Sequence, residues 1–160
     1  MVPSPVRSLV VLAVVAALAC GGKGESASQP AAGASAGADD LTPFQLENGI
    51  GPVTEAMTLP AEIDAAMAEA GKTVFQQKCS ACHKMGDKYV GPALGDVTTR
   101  RTPAFVMNMI LNPQENIERH PVVKQMVQET MSFMANQGLT QDQARQVLEY
   151  LRTQSTQAPK

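Results

Sequence analysis

Cys79-Ser80-Ala81-Cys82-His83 is the stretch of this 160-residue chain whose residue types and spacing announce chemistry. Two thiols separated by two residues, with an imidazole directly after, form the attachment signature of a c-type haem. The spacing has a physical reason. Each thiol adds to a vinyl group on one edge of the porphyrin, and the next residue then lies beneath the iron, where an imidazole can serve as proximal ligand. Two other readings of a Cys-x-x-Cys pair fit less well. A zinc site needs a second Cys pair or a His pair, and the chain has only three Cys and two His. A thioredoxin-like redox pair wants alternating strands and helices, and little strand patterning is visible. The adjacent histidine is explained by haem alone.

The third cysteine, Cys20, belongs to the N-terminus. Arg7 is the one charge before a continuous apolar run over residues 9–18. This is a charged leader followed by an apolar stretch too short to span a bilayer as a mature helix, so residues 1–19 read as a signal peptide. It exits through Ala17-Leu18-Ala19-Cys20, which resembles a bacterial lipobox with Ala17 in place of the usual leucine. Lipidation of Cys20 uses the thiol left over after haem attachment. An ordinary signal peptidase cutting at the same bond is the alternative, and it leaves an odd free thiol in an oxidising compartment. The expected place is the periplasmic side of the cell envelope, lipid-anchored to a membrane, or else soluble in the periplasm.

The elements that must position the motif can be taken in order. Residues 20–38, rich in Gly, Ala and Ser, cannot bury enough apolar surface to order themselves and read as a lipidated flexible tether. Residues 39–60 interleave Phe44, Leu46, Ile50, Val53, Met57 and Leu59 with Gly49, Gly51 and Pro52. This suggests an irregular arm packing on the domain surface. The domain itself is expected over 61–155, with a disordered tail at 156–160.

Its first helix should start at an Asp64 N-cap and run to about Lys78, with Met67, Gly71, Val74 and Phe75 on one face. Gly71 inside a helix costs about 1 kcal/mol relative to Ala, and a close helix–helix crossing would account for it. A Gly- and Pro-bearing loop follows over 84–96. Thr102-Pro103 opens a second helix with apolar Phe105, Val106, Met109 and Ile110, and Asn112-Pro113 ends it. Pro121 opens a third with Val122, Val123, Met126 and Val127. After a turn at Asn136 and Gly138, a capping box, Thr140-x-x-Gln143, starts the last helix, whose stripe is Ala144, Val147, Leu148 and Leu151. His120, just before a helix-opening proline, reads as a surface histidine.

Charge bears on partners. The formal net charge of −2 argues against a nucleic-acid partner. Residues 72–101 hold Lys72, Lys78, Lys84, Lys88, Arg100 and Arg101 against Asp87 and Asp96, whereas residues 25–69 hold eight acids and no Lys or Arg. The neighbourhood of the motif is therefore basic, either as a solvated face or as a docking face. There is no Trp, and there are only four Phe and two Tyr. For a small domain that is a thin apolar supply, so a porphyrin must complete the core.

Over residues 64–152 the chain resembles a class I c-type cytochrome domain. Gly71-x-x-x-Phe75-x-x-x-Cys79 is similar to that family's N-terminal helix, Val147-x-x-Tyr150 to the partner face of its C-terminal helix, and Gly91-Pro92-Ala93-Leu94 to its Gly-Pro-x-Leu segment. The resemblance implies an all-α cytochrome c-like fold. Its helices pack around one covalently attached haem c, and the N- and C-terminal helices cross. It further implies that the Pro92 carbonyl accepts the Nδ1 proton of His83, leaving Nε2 for iron. Arg100-Arg101-Thr102-Pro103, Met109-Ile110-Leu111-Asn112-Pro113 and the late Asn136-Gln137-Gly138-Leu139-Thr140 resemble a bacterial subgroup of respiratory monohaem cytochromes.

In that family a methionine returns as second axial ligand. Met85 follows His83 too closely to reach the opposite haem face. Met107, Met109 and Met126 fall in predicted helices, where core packing is the better reading. The loop before the last helix holds Met131 and Met134. Family spacing favours Met134, although Ala135 stands where a proline is usual, and Met131 is the alternative. The site set implied is Cys79, Cys82, His83, Pro92 and Met134, with His83 and Met134 on the metal.

A six-coordinate haem has no vacant position for substrate, so the implied activity is electron transfer rather than enzymatic turnover. The expectation is a periplasm-facing carrier of single electrons between respiratory-chain components. A quinol-oxidising complex or a soluble donor would supply them, and a terminal oxidase or reductase would accept them. The membrane would be met through the lipid anchor, with no small-molecule substrate. Two alternatives remain: a haem-based enzyme or gas sensor with an open or displaceable sixth ligand, and an interaction module of a larger respiratory complex.

Overall fold

Among the described residues, four of the seven helices open on a proline. The computed structural model describes residues 40–155. The signal segment 1–19, Cys20, the tether 20–38 and the tail 156–160 lie outside the described residues. The elements run α1 (Pro43–Asn48), α2 (Ala65–Lys78), α3 (Val97–Arg100), α4 (Pro103–Leu111), α5 (Pro113–Arg119), α6 (Pro121–Thr130) and α7 (Gln141–Ser155), with no strand among the described residues. Proline is first in α1, α4, α5 and α6. Its missing N–H is one that the first turn leaves unpaired anyway, and its fixed φ suits a helix start.

The caps form where local sequence places them. The Asp64 side chain accepts from the Met67 amide at 2.9 Å. The Thr102 hydroxyl accepts from the Phe105 amide at 3.1 Å. Thr140 and Gln143 close a reciprocal capping box at 3.0 and 3.2 Å.

The frame of the fold is the crossing of α2 and α7. A Cβ on Gly71 would stand 1.8 Å from the Gln146 carbonyl oxygen and 2.9 Å from the Val147 amide nitrogen. Only glycine lets the two backbones approach this closely. Beside the crossing, the Phe75 and Tyr150 rings meet at 5.4 Å with a 54° tilt. Phe75, Val147, Leu148 and Leu151 are buried with Ala104 and Met107 of α4 in one core. Glu149, also buried, ties the start of α2 to α7. It accepts the Asp64 amide at 2.9 Å and pairs with Arg145 and Arg152. Burial by itself would raise its carboxyl, but these partners hold it below the usual range.

Three features differ from the sequence expectation. The 39–60 arm is not irregular throughout. It contains α1, which carries a Thr42/Gln45 capping box. Asn112-Pro113 does end α4, yet the same proline opens α5, because the residue that stops one helix suits the first turn of the next. Finally, His120 is not on the surface: it is fully buried, its Nε2 lies 3.2 Å from the Leu46 carbonyl, and Phe105 packs edge-on at 5.5 Å. The chain returning 74 residues earlier covers it.

That arm lies along α4 and α5 through asparagines. Asn108 of α4 accepts the Val53 amide at 3.0 Å and donates to the Asn48 and Val53 carbonyls. Asn116 of α5 accepts the Ile50 amide at 2.8 Å and returns a bond to the Ile50 carbonyl. Both are fully buried, so every one of these bonds satisfies a backbone group that would otherwise be desolvated without a partner.

Candidate haem-binding site

The end of α2 delivers the motif. The Cys79 and Ser80 amides both donate to the Phe75 carbonyl, and the Cys82 and His83 amides both donate to the Cys79 carbonyl at 3.0 and 2.9 Å. The chain is thus wound tightly on from the helix. Cys79, Cys82 and His83 face one cleft, walled by α4, α6, the 90–94 segment and the loop after α6. Cys79 and Cys82 are not joined to each other as a disulfide. Before haem attachment, burial, then the neighbouring Cys82, pushes the Cys79 thiol up to about 11. A redox pair or a zinc site needs the opposite, a thiolate stabilised near neutral pH. Among the described residues no group of three or more His, Cys, Asp or Glu gathers to hold a free metal ion.

The histidine is oriented on two sides. Its Nδ1 lies 2.9 Å from the Pro92 carbonyl. A carbonyl can only accept, so Nδ1 carries the proton and Nε2 keeps its lone pair for a metal. The ring also packs on Gly91: a Cβ there would come within 2.4 Å of Cε1 and 3.0 Å of Nε2. The Gly91 amide donates to the Cys82 carbonyl, while Leu94 and Gly95 donate to the Lys84 and Met85 carbonyls. These bonds pin the Gly-Pro segment beneath the motif.

The methionines separate clearly. Met134 lines the cleft with Cys79, Cys82 and His83. Met131 does not. It caps α6 in the left-handed region at φ 52° and is 88 % exposed. Met107 is buried in the core behind the cleft, and Met85 packs against that core. Met109 and Met126, read from the sequence as core-packing, instead line the cleft itself. Helical periodicity told that they face inward. It could not tell that this interior is a cleft rather than a filled core.

The walls are apolar, with Val106, Ile110, Val123 and Val147 among them, and the charged residues at the lining are Lys78, Arg100 and Arg101, with no Asp or Glu among the described lining residues. Arg100 is held by Asp96 and by the Ala93 carbonyl at 3.0 Å, and Arg101 stacks over the Phe105 ring at 4.9 Å. Such a cleft fits a flat apolar macrocycle that carries two carboxylates. Two thiols stand at one side, a metal-ready imidazole nitrogen is in place, and a thioether reaches in from a loop. The donor set therefore matches haem c.

Comparisons with known proteins show the family. The cytochrome c family profile matches residues 68–155. The fold is similar to that of a cytochrome c from Rhodothermus marinus, with 45 % identity, a TM-score of 0.68, and coverage of 73 % of this chain and 100 % of that one. It is also similar to an engineered form of that cytochrome bound to a carbene intermediate, with 46 % identity, a TM-score of 0.64, and coverage of 72 % and 99 %. A cytochrome c-553-like protein of Synechocystis sp. is 33 % identical over 48 residues, 29 % of this chain, and the match spans about half (46 %) of that relative's length. The chain belongs to the cytochrome c family, as an all-α, class I monohaem c-type cytochrome with one covalently attached haem c.

Proposed function

We propose that this electron-transfer haem protein is a closed-site shuttle whose iron would be held by His83 and Met134, which line the same cleft. The observation that carries the reading is the fate of the two loop methionines. Met134 lines the cleft that holds Cys79, Cys82 and His83, while Met131 stands in solvent. When bound, the haem supplies a one-electron Fe(III)/Fe(II) couple. The chain's residues set its properties. The thioether favours Fe(II) and raises the potential. The Pro92 carbonyl polarises the imidazole through Nδ1 and makes it a stronger donor. Apolar walls exclude water and limit reorganisation. Redox partner proteins complete the function. Quinol-oxidising complexes or soluble donors on one side, and a terminal oxidase or reductase on the other, fit a respiratory carrier. A lipid on Cys20 would hold it to the periplasmic face of a membrane.

A redox-titrated visible spectrum tests the ligation. Met134→Ala should abolish the weak far-red Fe(III)–thioether band, lower the potential and admit exogenous ligands, while Met131→Ala should leave all three unchanged. Exchange of those outcomes moves the ligand to Met131. Recovery of the wild-type protein in the soluble fraction with an unmodified Cys20 would remove the anchor.

One observation favours a second reading, chemistry at a displaced sixth site. Loop 131–139 makes no backbone–backbone hydrogen bond among the described residues. It is held through side chains, such as Asn136 on the Leu111 carbonyl and on its own Gly138 amide. An engineered relative is described as bound to a carbene intermediate. If neither Met variant alters coordination, the open-site reading replaces the shuttle.

A further inference from the structure

His120 is the one ionisable imidazole outside the haem cleft, and its surroundings are unusual. The ring is fully buried at the junction of α5 and α6. Its Nε2 faces the Leu46 carbonyl of the arm at 3.2 Å. Since a carbonyl accepts, Nε2 carries the proton of the neutral ring. Nδ1 is then a bare, buried nitrogen with no hydrogen-bond partner. Nearly every other buried polar group around it is satisfied, the asparagine ladder above all. A second proton would enter at the Nδ1 position, which has no hydrogen-bond partner.

The groups around the ring oppose that proton from several sides. Arg101, stacked on Phe105, places its charge behind the aromatic edge that touches His120. On α6, the ring stands at the positive end of the helix, and Lys124 donates its amide to the His120 carbonyl. On α5, the Asn116 carbonyl accepts the His120 amide, and Arg119 nearby is paired with Glu115. Burial outweighs the groups that favour the charged form, the Gln45 and Leu46 carbonyls of α1 and the carbonyl end of α5 that His120 caps, so the ring titrates below its ordinary value.

We infer that His120 is a proton-sensitive latch that fastens the arm, residues 41–53, to the haem domain. The neutral ring accepts its buried place and holds Leu46. The protonated ring must bring Nδ1 to water, and the covering piece is α1 with the Gly49–Val53 turn. Lifting it breaks the Ile50 and Val53 bonds to Asn116 and Asn108. The event borders the haem site, because Val123, three residues on in the first turn of α6, is a wall of the cleft. Linkage sets the sign. With the native ring below its unfolded value, the latch is closed above about pH 6.5, and protection weakens as pH falls.

Hydrogen exchange of the ferrous holoprotein, read by NMR at the Ile50 and Val53 amides and corrected for intrinsic exchange, tests this. Between pH 7.5 and 5, protection at these two amides should fall by up to about tenfold per pH unit below the ordinary histidine value. Protection at Phe75 and Leu148 should stay level. His120→Gln, which can still donate to Leu46, should flatten the dependence. Arg101→Gln removes a charge that opposes the second proton, so the native value rises towards the ordinary one and the fall in protection should level off at a higher pH with a smaller total loss; it serves if the first variant folds poorly. Wild-type protection that is flat with pH overturns the latch. So does an equal loss at core amides, or an unchanged fall in His120→Gln, which would assign the effect to carboxylates.

Discussion

Replacing Gly71 with alanine sets two physical effects against each other. Alanine favours the helix by about 1 kcal/mol over glycine in an interior position, so α2 taken alone should gain. The crossing forbids it. The new methyl would sit 1.8 Å from the Gln146 oxygen and 2.3 Å from its carbonyl carbon, where ordinary contact begins near 3.4 Å. The atoms met are α7 backbone, which has no rotamer to change, so the helices must part by roughly 1.5 Å. The Phe75–Tyr150 contact and the burial of Val147 and Leu148 lie on the same seam and loosen with it. Overpacking against flexible side chains typically costs about 1–3 kcal/mol; against backbone the upper end applies. After the propensity gain, a net loss of about 2 kcal/mol is expected. For a domain near 100 residues that lowers Tm by roughly 10 °C. Guanidinium and thermal unfolding of the holoprotein, followed by far-UV dichroism and haem absorbance, measure it. Gly86→Ala is the control, since a Cβ there meets nothing within 4 Å. A Gly71→Ala protein as stable as the wild type, or more so, would refute the close-crossing argument.

Other outcomes follow from the same contacts. Gly91→Ala places a methyl into the His83 ring and should tilt the imidazole off the Pro92 carbonyl. The low-spin ferric EPR signal and the midpoint potential should both change, and identical values would show that Gly91 does not orient the ligand. Glu149→Gln removes the charge that holds Arg145, Arg152 and the Asp64 amide. Because the native carboxyl titrates below its ordinary 4.5, wild-type stability from this group is present above that value and lost as pH falls through the native pKa. The variant should be less stable at pH 7 by about 1.5–3 kcal/mol, the usual worth of hydrogen bonds to a charged group, since the Arg145 and Arg152 charges left behind are partly exposed. The gap should narrow in acid, as urea midpoints at pH 7 and pH 3 would show.

What the amino-acid sequence determined by itself is short-range. The Cys79–His83 spacing, the Asp64, Thr102 and Thr140 caps and the helix-opening prolines are choices made among residues within a turn or two of each other. Their consequences are local hydrogen bonds and fixed dihedrals that need no distant partner. What only the tertiary structure decided involves partners far apart in the chain. Asn108 and Asn116 reach the arm across 55 and 66 residues, Leu46 covers His120 across 74, and Glu149 caps the start of α2 across 85. A histidine before a proline has one sequence signature whether water or another segment covers it. Met109 and Met126 likewise look the same on a helical wheel whether the interior they face is filled by side chains or shaped for a macrocycle. Periodicity encodes the direction of a side chain, and only the closure of the chain on itself supplies what lies in that direction.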